Sequence, residues 1–93
     1  MTPQDHEWLT HELERYADVV DFMPNDNGAI HSLAINMDNA QAQVRDIRVK
    51  LALQRAQALV RDAHHCLVQG EDEVASEMLG LAQYWLAKAK PTA

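Results

Sequence analysis

Ninety-three residues with a formal net charge of −6 make a chain too short for two ordinary domains, one that buries only about 60–70% of the surface it exposes when unfolded. Hydrophobic residues at 47% and charged residues at 24% give a globular balance, which excludes a disordered chain. Three Gly and three Pro leave too few turns for a many-stranded β fold, and the single cysteine, Cys66, excludes an intrachain disulfide or a four-cysteine zinc site.

The first helix has a clear start. Thr2 can cap it, Pro3 occupies the first helical position, and Asp5 follows the cap by three residues in a capping-box arrangement. Leu9, Leu13, Tyr16 and Val20 share a narrow arc, with Trp8 and Val19 on its shoulder. Glu7, Glu14, Asp18 and Asp21 share a second arc well away from the first. The helix is expected to end near Phe22, because the residue before Pro24 disfavours helical geometry. Residues 24–28, PNDNG, form a strong turn signal.

Residues 29–69 contain neither Pro nor Gly, and unbroken they predict one helix of roughly 60 Å. Ile30, Leu33, Met37, Ala40, Val44, Ile47 and Leu51 form a seam of alternating three- and four-residue steps. Val49, Leu53, Ala56, Val60, Ala63 and Leu67 form a second seam, about 150° around the same helix. The apolar face therefore changes sides near residues 47–51. A break at that point is the alternative, but with no helix breaker there a continuous helix is preferred. One layer of the same chain cannot cover both faces of such a helix. Ile30, Leu33, Met37, Val44, Ile47 and Leu51 are therefore assigned to a homodimer interface. A Glu at Val44 or Ile47 would put an unpaired charge on that buried surface. A β-hairpin over residues 19–37 ranks second to the helical reading, since Ile30, Leu33 and Met37 do not alternate strictly.

Gly70 closes the long helix, and Glu71, Asp72 and Glu73 open a third helix where negative charge suits the dipole. Val74, Met78, Leu81, Trp85 and Ala89 are its expected main stripe, widened by Ala75, Leu79, Ala82 and Leu86. Lys88 and Lys90 lie near its end, and Pro91 stops it. Ala63, Gly70, Ala75 and Ala82 make this pair of helices look like one tetratricopeptide hairpin. The likeness covers about a third of the chain, and a solenoid needs about three repeats. It is treated as a general αα-hairpin pattern. The fold expected over residues 1–93 is a single all-α domain of three helices, with a long central helix and a C-terminal αα-hairpin. Dimerisation would complete its helical bundle.

Chemistry is sparse. His6 and His11 stand five residues apart, one more than the H-E-x-x-H zinc motif requires, so they diverge by about 140°. His64, His65 and Cys66 are consecutive and point in three directions. No metal site and no cofactor are expected. Neither a phosphate-binding glycine loop nor a G-x-S-x-G elbow is present, so no enzymatic activity is expected.

Charge is unevenly spread. Residues 1–27 hold seven acids against Arg15, residues 28–69 carry a net +2, and residues 70–93 a net −2. No run of 18 apolar residues exists for a membrane span. The acidic, polar start MTPQDHEWLTHELER is unlike a signal or transit peptide, so the cytoplasm is the expected location. The net charge disfavours nucleic acid and anionic lipid and favours a protein partner with a basic surface. The expected function is a non-enzymatic interaction module, an adaptor or an inhibitor that occludes a target. Small acidic helical proteins of this kind occur among phage-encoded inhibitors of host systems, including anti-CRISPR proteins, an analogy of class that no motif carries. Glu7, Glu14, Asp18 and Asp21, with Arg48 and Arg55, are the candidate partner-binding residues. The alternative is a dimeric nucleic-acid-binding regulator using Arg45, Arg48 and Arg55.

Overall fold

The structure is a computed structural model that describes residues 2–19 and 27–90. Among the described residues it contains four helices and no strand: α1 (Pro3–Val19), α2 (Asn27–Ala42), α3 (Ile47–Val68) and α4 (Asp72–Lys88). The all-helical class is as expected; the helix count is not.

The first helix starts as its sequence dictates. The Asp5 amide donates to Thr2 Oγ1 at 3.1 Å, and the Thr2 amide donates to Asp5 Oδ2 at 3.2 Å. This reciprocal box satisfies two amides that a helix start otherwise leaves without partners. Leu9, Leu13 and Tyr16 are buried as one stripe. Val20, Asp21 and the expected end near Phe22 lie outside the described residues.

The predicted long helix is broken. α2 unwinds after Ala42, and Asp46 caps a new start at Ile47, its carboxylate accepting from the Arg48 amide at 2.9 Å. Asp46 itself is extended, with φ −71° and ψ 118°, the backbone that an N-cap requires. The chain then reverses. Gln57, ten residues into α3, reaches back to α2 and donates to the Ala34 carbonyl and to Asp38 Oδ1, both at 3.2 Å. The alternative β-hairpin is also overturned where it can be seen, since residues 27–37 are helical. Asp46→Ala should cost about 1 kcal/mol, the usual loss for a cap, read as a lower melting temperature with unchanged helical circular dichroism.

That reversal corrects the dimerisation argument. The two seams point to opposite sides of a straight helix, but once α2 folds back on α3 both face one core. Leu33 and Met37 from the first seam and Val49, Leu53, Ala56, Val60, Ala63 and Leu67 from the second are all buried in it. Each helix packs on two others, α1 on α2 and α4, and α3 on α2 and α4. The described chain thus closes a four-helix ring by itself, with a radius of gyration of 12.4 Å.

The α3–α4 turn is a Schellman motif. The Gly70 amide bonds the Leu67 carbonyl at 3.1 Å and the Glu71 amide bonds the Cys66 carbonyl at 2.8 Å. Gly70 has φ +80°, the left-handed geometry that glycine adopts without penalty. In α4 the buried stripe is Ala75, Leu79, Ala82, Leu86 and Ala89. The stripe expected to lead is divided: Ala89 is buried with these residues, whereas Val74 and Leu81, with Met78 and Trp85, are turned more toward the surface, because small Ala75 and Ala82 let α3 approach closely. Val74 and Leu81 are exposed, while Met78 and Trp85 are half-buried.

Candidate protein-interaction surface

The core stripe of α1 determines what its other side offers. Burying His6, Leu9, Leu13 and Tyr16 turns Glu7, Glu14 and Asp18 outward, since residues three, four and seven apart share a helix face. All three are exposed, and they border one open surface groove of ≈ 680 Å³ with Trp8 and His11. Asp21 lies outside the described residues. Trp8, expected at the shoulder of the core, is 48% exposed. It stands between this groove and a cleft against α2, which Asn36, Asn39 and Gln43 line.

The groove is mainly acidic, with Arg15 also on its border. Among the described residues the ion pair on this helix joins Glu12 and Arg15 at 2.8 Å, an exposed i,i+3 contact that contributes little. Among the described residues Glu7, Glu14 and Asp18 are in no ion pair, although Lys90 borders a neighbouring cleft with Glu7 and Glu14. Asp5 is held below its ordinary pKa by its hydrogen bonds to the Thr2 backbone and side chain.

His6 is a structural residue here. Its Nε2 lies 2.7 Å from the Leu86 carbonyl, which ties the start of α1 to the end of α4. His11 is exposed, and His65 Nε2 lies 3.0 Å from Gln69 Nε2. Among the described residues no three His, Cys, Asp or Glu side chains are placed to hold a metal ion. Cys66 is buried, with its Sγ 3.9 Å from Met78 Sδ. Burial first, and then the Glu71 carboxylate, push its thiol above the ordinary pKa. Thiolate is the reactive form, so Cys66 should react with a thiol reagent far more slowly in the folded protein than in urea.

Arg48 and Arg55 do not join the acidic face. They project from α3, which sits diagonally across the ring from α1. Arg55 lies over the Trp85 ring, its guanidinium carbon 4.5 Å from the centroid. The expected dimer residues also separate. Leu33 and Met37 are used inside the chain, Val44 is half-buried, and Ile47 and Leu51 are exposed. The side chain of Ile30 lies outside the described residues. The reason is again the reversal at residues 43–46, which splits the seam between core and surface. Trp8 is the residue that sequence reasoning undervalued, because it lies at the margin of the apolar arc, where periodicity does not separate buried from exposed.

Fold and surface together define a small antiparallel four-helix protein with an acidic, tryptophan-bearing face on its first helix. No family model, no curated protein and no solved structure matches the chain. Among the described residues no helix is long and apolar enough to cross a membrane.

Proposed function

We propose that this chain is a non-enzymatic interaction module of the cytoplasm, an adaptor or an inhibitor of the kind phages direct at host systems. It covers a basic surface of a target protein with the outer face of α1. One observation carries the reading: an exposed Trp8 on the groove that Glu7, Glu14 and Asp18 border, three carboxylates that form no ion pair among the described residues. Tryptophan is enriched at binding hot spots, and its ring attracts Lys and Arg side chains. Carboxylates around it would steer a basic partner and set its orientation. Glu14 and Asp18, four residues apart, repel each other by a few tenths of a kcal/mol in the free helix. A basic partner would relieve that repulsion.

The test is quantitative capture of lysate proteins by the wild type and by Glu14→Lys/Asp18→Lys, at low and moderate salt. The charge reversal should leave the melting temperature nearly unchanged, since exposed substitutions usually fall within about 0.5 kcal/mol. It should also remove a specific captured protein, with the wild-type interaction weakening as salt rises. A target retained equally by both proteins at every salt concentration would show that the acidic stripe is only a solvated face.

A further inference from the structure

A second surface, on the opposite side of the molecule, has its own logic. Two close contacts fix the register of the α3–α4 hairpin: Arg55 over Trp85, and Cys66 against Met78. At about 1.5 Å of rise per residue, Leu51 then lies toward the open end of the hairpin and Val74 toward the closed end. Leu81 and Tyr84 fall between them. All four are exposed apolar or aromatic side chains, and helical spacing places them along the outer flank of the hairpin. Tyr84 meets Trp85 edge-on at 5.4 Å, and the Lys88 ammonium lies 5.2 Å from the Tyr84 centroid.

The charges along this flank are sorted. Arg48, Arg55 and Lys88 lie toward the open end and Glu73 and Glu77 toward the closed end, with the neighbouring Arg61 and Asp62 between them, all of them exposed. The hairpin as a whole is nearly neutral, with six bases against five acids over residues 47–90. The acidic excess of the chain sits on α1, diagonal to α3. A face that is basic toward one end and acidic toward the other, with Leu81 and Tyr84 between, complements itself when turned end over end. That is the requirement of an isologous two-fold contact.

We infer that a second copy of this chain docks on the outer α3–α4 face, the two hairpins antiparallel about a two-fold axis near Leu81. The spacing along the hairpin then sets Leu51 of each copy near Val74 of the other, Leu81 near Tyr84 and Trp85, and Arg55 and Lys88 near Glu77. Two helices about 25 and 33 Å long, lying side by side at about 10 Å, offer several hundred Å², close to one partner's share of a standard interface. This contact is independent of the α1 reading and leaves the acidic face free for a different protein.

Light scattering after size exclusion, at high micromolar protein, tests the inference. The wild type should have twice the 10.5 kDa chain mass. Leu81→Glu should run as a monomer with unchanged helical circular dichroism. Arg55→Glu should weaken the dimer roughly 10- to 100-fold, and Arg55→Glu/Glu77→Arg should restore it, because the swap re-forms the pair in the opposite sense. Glu14→Lys/Asp18→Lys should remain dimeric, which separates this contact from the α1 surface. A monomeric wild type, a Leu81→Glu protein that stays dimeric, or a double variant that fails to recover would each overturn it.

Discussion

Leu53→Ala will lower the free energy of unfolding by about 2–5 kcal/mol, whereas Ile47→Glu, at the start of the same helix, will change it by no more than about 0.5 kcal/mol. Urea denaturation followed by circular dichroism measures both. Leu53 is 0% exposed and belongs to the buried cluster that α2, α3 and α4 build together. Truncating it removes apolar contacts and leaves a cavity that the surrounding side chains only partly refill. Ile47 is 70% exposed, although sequence periodicity places it on the same seam as Leu33 and Met37. It is also the first residue after the Asp46 cap. A carboxylate there meets the positive end of the helix dipole, which favours it slightly. A continuous helix predicts the reverse for Ile47→Glu, a charge forced into a buried seam. The pair of measurements therefore tests the break itself. A large loss from Ile47→Glu would restore the unbroken helix.

Trp8→Ala will weaken binding of the α1 target by about 30-fold or more, corresponding to the 2 kcal/mol or more typical of an interfacial tryptophan. Its effect on stability will be much smaller than that of Leu13→Ala. The two residues flank the same turns of α1, but Leu13 is sealed into the core and Trp8 is half exposed. The free protein therefore loses little packing when the indole is removed. A bound partner would lose an aromatic platform on the groove that Glu7, Glu14 and Asp18 border. Isothermal titration with the captured target checks the first half, and thermal unfolding the second. The salt dependence of binding should survive Trp8→Ala, because the carboxylates that steer the partner remain. Normal affinity in Trp8→Ala would remove the tryptophan from the site and leave charge alone to explain recognition.

Much of this protein is legible in its residues because the information is local. The Thr2–Asp5 box, the Gly70 turn and the inward face of α1 each depend on neighbours within one or two helical turns, where chain geometry permits few alternatives. The acidic stripe on α1 follows in the same way, as the complement of Leu9, Leu13 and Tyr16. Sequence also located the point where the apolar face changes sides, near residues 47–51. What it did not decide was whether the helix continues there. Neither Gly nor Pro marks the break. The signals present were the phase jump itself and Asp46, a good cap just before Ile47. Only tertiary structure chose between them. Folding α2 back on α3 buries Leu33 and Met37 beside Leu53 and Val60, whereas a straight helix would leave one seam in water, and the apolar surface gained outweighs the helical hydrogen bonds lost over one short turn. The same long-range packing decided which of the two adjacent stripes of α4 faces inward. Ala75 and Ala82 admit α3 closely between Leu79 and Leu86, and Val74, Leu81, Tyr84 and Trp85 are turned toward the surface. Periodicity names the apolar residues of a helix, but their division between core and surface depends on where the neighbouring helices lie.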